Sequence, residues 1–138
     1  MPIEIIQLPL ASYPLVNRFY REHQRGAKAK GHHWVWVAQD GAQIVAALCL
    51  QPIAQGYWLT SLVVAPNYRG HGHASTLLKK AREQVQESQR PVWLFCAPEL
   101  TSLYSGNGFA PTDLLPEPLA DRLQRYQRHK RLVALVAD

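Results

Sequence analysis

A basic turn with two glycines lies where an apolar run gives way to an amphipathic helix. Leu62, Val63 and Val64 end the apolar run, and the helix is predicted to begin near Gly72. A run of consecutive residues has types that suit the binding of an anion: Arg69, Gly70, His71, Gly72, His73, Ala74 and Ser75. The first turn of a helix has unpaired N–H groups and the positive end of the helix dipole, both of which attract an anion. Glycine lets the backbone approach a diphosphate closely, and Arg69 adds a charged hydrogen-bond donor. The segment therefore predicts a diphosphate cradle.

Two other phosphate-binding turns fit these residues poorly. A dinucleotide-binding turn needs G-x-G-x-x-G in a parallel strand–helix–strand unit, and Ser75 stands at the third glycine position. A Walker loop needs Gly-Lys-Ser or Gly-Lys-Thr, and neither tripeptide occurs in the chain. A glycine pair before a helix can also be a tight turn without a ligand, so the pair alone leaves that alternative open.

Composition and charge restrict the class of protein. The chain has 138 residues, 47% hydrophobic and 18% charged, which is typical of a single globular domain over residues 1–138 and not of disorder. The 15 Lys and Arg residues minus 10 Asp and Glu give a net charge of +5, which suits an anionic ligand. No apolar run approaches the roughly 18 residues that span a bilayer, so no membrane partner is expected.

The first residues and the cysteines indicate the compartment. The beginning, MPIEIIQLPL, carries Glu4 and no basic segment, which is not typical of a signal peptide. Cys49 and Cys96 each lie inside an apolar run, and two cysteines are too few for a disulfide framework. We therefore expect a cytoplasmic protein whose cysteines are buried and are not nucleophiles.

The elements that must position the cradle follow from hydrophobic periodicity and turn residues. Their predicted order is β-α-β-β-β-α-β-α-(α)-β. Strands are predicted over residues 3–7, 33–39, 43–51, 57–65, 92–96 and 132–136. Helices are predicted over residues 11–25, from about 72 through 85, over 98–105 and over 119–129. In the first helix Leu15, Phe19 and Val16 are expected to face the core.

The connections predict an α/β (α+β) fold with a mixed, mostly antiparallel twisted sheet. Asp40–Gly41 between two apolar runs indicates a hairpin turn with positive φ at both central positions, and residues 52–56 indicate a second turn. The strand–helix–strand unit over residues 57–96 is a crossover, so its two strands should be parallel. Helices are expected on both faces of the sheet.

Two motifs resemble the GCN5-related N-acetyltransferase (GNAT) family. RGHGHA of residues 69–74 matches the family's R-x-x-G-x-A/G, and LVVAP of residues 62–66 matches the preceding L-x-V-x-P. LYSGNGF of residues 103–109 matches F/L-Y-x-x-x-G-F. The motifs lie about thirty residues apart in the appropriate elements, and the resemblance extends over about four-fifths of the chain.

The resemblance implies an enzyme that uses acetyl-CoA. The backbone at Leu62, Val63 and Val64 would align the pantetheine arm, and the pyrophosphate would lie on the turn 69–74 with help from Ser75. The strands that hold Val64 and residue 92 would splay apart to admit the cofactor. Tyr104 matches the tyrosine that faces the cofactor sulfur, where a phenol can protonate the departing thiolate.

Some residues depart from the family pattern. Ala97 stands where the family often has Asn, and the segment after Pro111 is predicted as a helix where many members form a hairpin. Residues 57–62 contain no carboxylate for a general base, so His32, His33 or a water relay remain open.

The histidines and the basic segments allow other interpretations. His32–His33 and the pair at 71 and 73 lack Cys or carboxylate at ligand spacing, so no metal site is predicted. Residues 25–30 are read as a solvated basic loop, which could also contact the cofactor, an acidic substrate or RNA. Basic residues in the last third disfavour a cationic peptide acceptor: Arg122, Arg125, Arg128, Lys130 and Arg131.

The expected partner is a small-molecule or peptide amine, bound by a monomer or homodimer. A non-catalytic acyl-CoA-binding regulator of the same fold is the main alternative, because no base is evident. A basic nucleic-acid-binding module is a third, but no nucleic-acid motif supports it and no such partner is expected.

Overall fold

A computed structural model describes residues 2–138 as seven strands and four α-helices joined by turns and short 3₁₀ segments. The strands are β1 Ile3–Gln7, β2 Trp34–Asp40, β3 Gln43–Ile53, β4 Gly56–Val64, β5 Val92–Cys96, β6 Ala110–Pro111 and β7 Val133–Ala137. The helices are α1 Tyr13–His23, α2 His73–Gln86, α3 Thr101–Ser105 and α4 Glu117–Tyr126.

All seven strands form one sheet in the order β1-β2-β3-β4-β5-β7-β6. Neighbouring strands are antiparallel except β4 and β5, which are parallel as the crossover predicts. The last strand enters between β5 and β6, and the short β6 was not expected from the sequence. The predicted mixed, mostly antiparallel sheet is therefore confirmed.

Helices cover both faces of the sheet, as predicted. On one face α2 buries Leu77, Leu78, Ala81 and Val85 in a cluster that also contains Tyr104 of α3. On the opposite face α1 packs over β2, β3 and the end of β4, while α4 packs over the start of β4, β5 and β7. The two helices on this second face belong to separate clusters, and β4 contributes its end to the α1 cluster and its start to the α4 cluster.

The inner face of α1 differs from the prediction. Leu15 is 57% exposed, whereas Tyr13 and Tyr20 are buried. Both tyrosines bury their rings because their hydroxyls find acceptors: Tyr13 donates to the carbonyl of His33, and Tyr20 donates to the carbonyl of Ser61 at 2.8 Å. The hydrogen-bonded tyrosines are therefore buried on the inner face of α1, although leucine is the more hydrophobic residue.

Two predicted turns are displaced. The first hairpin has Gly41 and Ala42 at its centre, and only Gly41 has positive φ, so the predicted positive φ at both positions is wrong. The second turn is shorter than 52–56, because Pro52 and Ile53 remain in β3. Pro52 lies beyond the last β2–β3 pair, where β3 has one neighbour and a missing N–H is tolerated.

β4 contains one more residue than the β3 segment that it faces. Ala47 pairs with Val63 and Cys49 with Thr60, so two steps along β3 match three along β4. The extra residue produces a bulge at Ser61, whose φ of 58° lies in the left-handed region. A bulge bends its strand and increases the local twist. The bulge turns the second half of β4 away from a straight course.

β4 and β5 pair only at their first residues. Tyr57 pairs with Val92 and Trp58 with Trp93, and no pairing follows toward the ends of the two strands. The pairing therefore ends after Trp58, shortly before the bulge at Ser61, and leaves a gap in which the facing edges of β4 and β5 do not pair with each other. This gap confirms the splay that the family resemblance implied.

No helix within residues 2–138 is both long and apolar enough to span a bilayer.

Candidate active site

A row of free N–H groups lies at the end of β4. The first helical donor of α2 is the N–H of Thr76, which pairs with the carbonyl of Gly72 at 3.0 Å. Within the described part of the chain, no backbone carbonyl accepts from the N–H groups of residues 70–75. Free N–H groups at a helix start attract anions, because they add donors to the positive end of the dipole.

Glycine is required at two positions of this turn. Gly70 has φ of 80° and Gly72, the residue before α2, has φ of 81°. A Cβ at either position would meet no atom within 4 Å, so the space over both residues is open. Glycine therefore provides the left-handed backbone and leaves room for a ligand to approach the N–H groups.

Side chains on the turn fix its position. The Nε of Arg69 donates to the carbonyl of Val64 at 3.0 Å, which ties the exposed guanidinium to the end of β4. The hydroxyl of Tyr68 donates to Asp40 Oδ2 at 2.8 Å, which fastens the turn to the β2–β3 hairpin. The guanidinium retains its two Nη groups as donors beside the free N–H row.

The residues predicted to align the pantetheine arm lie on the edge of the gap. Leu62, Val63 and Val64 follow the bulge, and their backbone does not pair with β5. Val63 is buried under α1, while Leu62 and Val64 are partly buried on the α2 face. The unpaired edge can accept an extended chain as an additional strand would.

The second motif is joined to the first by hydrogen bonds. Asn107 donates its side-chain amide to Ser75 Oγ at 3.3 Å and to the carbonyl of Leu103 at 2.8 Å. Arg82 of α2 donates to the carbonyl of Asn107 at 2.8 Å. These bonds connect the start of α2 with the end of α3, so the turn and Tyr104 of α3 are held in one arrangement.

Tyr104 lies on α3, which follows β5, and packs in the cluster on the α2 face of the sheet. The residue is 7% exposed, and its ring packs edge-on against Phe109 at 5.9 Å between centroids. Burial, followed by the neighbouring Cys96 thiol, raises the pKa of Tyr104 to about 12. The phenol is therefore protonated at neutral pH and can act as a proton donor.

A family model describes the region that contains all of these features. The acetyltransferase (GNAT) domain model matches residues 30–111, more than half of the chain. The chain belongs to the GNAT acetyltransferase family. The sequence resemblance is thereby confirmed, and the match includes both the 69–75 turn and Tyr104. No protein with a curated description is similar enough in sequence to be matched.

Solved GNAT structures share the fold. The PaiA N-acetyltransferase of Thermoplasma acidophilum, in complex with coenzyme A, is 16% identical with a TM-score of 0.71, over 100% of this chain and 99% of that one. ElaA of Escherichia coli is 16% identical with a TM-score of 0.72, over 99% and 100%. The ribosomal-protein-S18-alanine N-acetyltransferase of Escherichia coli is 13% identical with a TM-score of 0.69, over 98% and 91%. Likeness at such low identity establishes the fold.

The histidines considered as bases lie away from the turn in this GNAT domain. His33 is buried at the start of β2, and its Nδ1 accepts the N–H of Lys30 at 3.2 Å. Burial, and then the neighbouring His32, lower the pKa of His33, which favours its neutral form. Neutral imidazole has one lone pair, and here that pair is engaged, so His33 is poorly suited to accept a proton. His32 is exposed beside it.

The histidine pair of the turn does not form part of a metal cluster. The rings of His71 and His73 are 6.0 Å apart, on either side of Gly72. Within residues 2–138 no group of three or more His, Cys, Asp or Glu side chains is placed to hold a metal ion. These histidines instead contribute backbone N–H groups to the free row.

Both cysteines are buried and free, as predicted. Burial raises the pKa of Cys49 to about 11 and raises that of Cys96. Because only the thiolate is nucleophilic, we expect neither residue to react with a thiol-specific disulfide reagent in the native protein. Quantitative labelling with and without denaturant tests this expectation. Acetylated Cys96, detected by mass spectrometry of protein quenched during turnover with acetyl-CoA, would contradict it.

Three residues that shape the site carried no sequence signal. Ser61 adopts a left-handed conformation that glycine or asparagine would have indicated, and serine does not. Tyr20 of α1 donates a hydrogen bond to the carbonyl of Ser61 at the bulge, 41 positions away in sequence. Asn107 occupies a variable position of the second motif, and only the folded chain shows its bond to Ser75.

Proposed function

We propose that this chain, as a single domain over residues 1–138, is an acetyl-CoA-dependent N-acetyltransferase that acts on a small-molecule or peptide amine. The observation that carries the proposal is the free N–H row of residues 70–75 beside the β4–β5 gap. The row suits a diphosphate, and the gap continues from it along two unpaired strand edges. One elongated ligand with a diphosphate and an extended arm fits both features.

The residues present fit acetyl-CoA by their chemistry. Free N–H groups at the start of α2, with the Nη groups of Arg69, can hold the diphosphate. The edge formed by Leu62, Val63 and Val64 can bind the amide-containing arm through backbone hydrogen bonds. The hydroxyl of Ser75, oriented by Asn107, can donate to a phosphate oxygen.

Acetyl-CoA, when bound, supplies an activated acyl carbon for an attacking amine and a thiolate as the leaving group. The phenol of Tyr104 holds its proton at the Oη atom and can pass it to a departing thiolate. Direct attack by the amine is favoured because both cysteines are buried and burial raises the pKa of each thiol, which disfavours the nucleophilic thiolate.

A specific observation supports a second candidate, a non-catalytic acyl-CoA-binding regulator. β4 from Tyr57 to Leu62 carries no carboxylate, and the lone pair of His33 is engaged by Lys30. An enzyme without a side-chain base must therefore take its amine neutral from solution or remove the proton through water. A regulator would bind acetyl-CoA equally well and release no thiol.

An amine panel separates the two candidates. Release of free coenzyme A is followed with a thiol reagent while amines of different chemical classes are supplied with acetyl-CoA. The enzyme predicts amine-dependent thiol release, with an acetylated amine in equal amount by mass spectrometry. Tight acetyl-CoA binding without thiol release across the panel favours the regulator, and absence of binding contradicts both.

The raised pKa of Tyr104 predicts the alkaline side of the pH profile. A proton donor fails when it deprotonates, and a pKa of about 12 keeps this phenol protonated to roughly pH 11. We expect kcat/KM to rise with pH as the amine loses its proton, with no descending limb from Tyr104 below that pH. Profiles of the wild type and Tyr104→Phe over about pH 6–10 check this. A descending limb that the substitution abolishes would contradict it.

A further inference from the structure

The indole N–H of Trp58 is a buried donor without an acceptor. Trp58 is 7% exposed, and its Nε1 is the one buried side-chain nitrogen or oxygen in the described part of the chain that lacks a hydrogen-bond partner. Folded proteins pair nearly all such groups, since an unpaired buried donor is destabilising. A donor kept in this state is suited to a ligand that brings the missing acceptor.

Trp58 lies at the apex of the β4–β5 gap. It forms the last β4–β5 pair, with Trp93, before the strands separate. Its side chain packs with Trp93 and Leu119 on the α4 face, whereas Tyr104 belongs to the cluster on the α2 face. Trp58 and the proposed proton donor therefore lie on opposite faces of the sheet.

A guanidinium lies over the indole ring that carries this donor. The Cζ atom of Arg122 in α4 is 4.9 Å from the centre of the Trp58 ring. Arg122 is half-buried, and among residues 2–138 the observed ion pairs involve Glu22 and never Arg122. The guanidinium of Arg122, which has no carboxylate partner, therefore lies against the ring of Trp58, whose N–H has no acceptor.

The walls around this pair are aromatic and aliphatic. The ring of Phe95 is 5.5 Å from that of Trp58 between centroids, and Leu119 is fully buried beneath α4. Such walls lower the local dielectric and strengthen a charge-assisted hydrogen bond. A neutral donor and a planar cationic donor side by side match the two oxygens of a carboxylate.

We propose that the acetyl acceptor is an amino acid-like molecule whose carboxylate is bound by Trp58 Nε1–H and by Arg122, with its amine directed into the gap. This specificity rests on the proposed function, because it assumes that acetyl transfer takes place at the same gap. Arg122 moves from the face of the indole to the carboxylate, and the indole N–H gains its acceptor. The positive charge of Arg122 excludes acceptors that carry a second cation there.

Matched acceptors and matched variants test the specificity. Thiol release is measured with phenylalanine against phenethylamine and with leucine against isoamylamine. We expect the amino acid to exceed its decarboxylated partner in kcat/KM in both pairs. Arg122→Gln should lower kcat/KM for the amino acid by about tenfold to a hundredfold and change kcat/KM for the amine far less, as expected for loss of a charge-assisted bond. Arg125 is an exposed basic residue of the same helix, so Arg125→Gln is the control. It should change kcat/KM for neither the amino acid nor the amine.

A spectroscopic readout is independent of turnover. The Trp58 indole N–H signal is assigned in a ¹⁵N correlation spectrum by its loss in Trp58→Phe, and phenylalanine is then titrated into the wild type with coenzyme A present. A saturable downfield shift that is absent with phenethylamine supports the site. No shift with phenylalanine, or equal kcat/KM within each matched pair, overturns the carboxylate site but leaves the acetyltransferase intact. A shift without any thiol release supports the site and contradicts the enzyme.

Discussion

Tyr104→Phe is expected to lower kcat by about tenfold to a thousandfold, with acetyl-CoA affinity nearly unchanged. The substitution removes the one proton that the buried phenol can give and keeps the ring that packs against Phe109. Coenzyme A thiolate is a fair leaving group by itself, so the effect should lie toward the lower end of this range. Steady-state rates with a working amine, together with calorimetry of acetyl-CoA, measure both quantities.

A matched variant separates chemistry from packing. Tyr13→Phe also removes the hydroxyl of a buried tyrosine, but its partner is the carbonyl of His33, away from the gap. It should lower stability without a comparable loss of kcat. Tyr104→Ala should cost more than Tyr104→Phe, since packing is lost as well. A wild-type kcat in Tyr104→Phe, with chemistry shown to be rate-limiting, would assign Tyr104 to the core alone.

Gly72→Val is expected to weaken acetyl-CoA binding by about tenfold to a hundredfold. At φ of 81° a β-branched residue is strained, so the backbone at the start of α2 must change and its N–H groups must reorient. The new side chain would also enter the open space from which the diphosphate approaches. Gly72→Asn, which tolerates left-handed backbone, should be affected less.

Gly26→Val controls for strain at a remote glycine. Gly26 also has positive φ, 89°, and open space around it, but it lies in the loop between α1 and β2. Gly26→Val should reduce thermal stability much as Gly72→Val does, and it should leave the affinity for acetyl-CoA unchanged. Equal affinity in Gly72→Val and the wild type would show that the diphosphate binds elsewhere.

Local patterns in the sequence predict the elements of this fold well. The stripe of Leu77, Leu78, Ala81 and Val85 identifies α2, and the apolar run before Arg69 identifies β4, because periodicity reports which side of an element is buried. The crossover rule then makes β4 and β5 parallel. The position of the turn and of Tyr104 therefore follows from residues that are close in sequence.

Interactions between distant residues define the rest of the site. The Tyr20 hydroxyl donates to the carbonyl of Ser61 at the bulge, and no local sequence pattern predicts that bond. The insertion of β7 between β5 and β6 brings α4 over Trp58, so the contact with Arg122 cannot be inferred from their separation in sequence. Hydrophobicity predicts that Leu15 faces the core, whereas the hydrogen-bonded Tyr13 and Tyr20 occupy the buried face of α1.

Binding of acetyl-CoA, through its diphosphate and its arm, by the turn at residues 69–75 and the gap beside it is the basis of the proposed function. Calorimetric titration of the wild type with acetyl-CoA and with acetyl-pantetheine, which lacks the diphosphate, tests it most directly. We predict saturable 1:1 binding of acetyl-CoA that weakens as salt rises, and much weaker binding of acetyl-pantetheine with little salt dependence. Equal affinities for the two compounds, or no binding of acetyl-CoA, would contradict the claim.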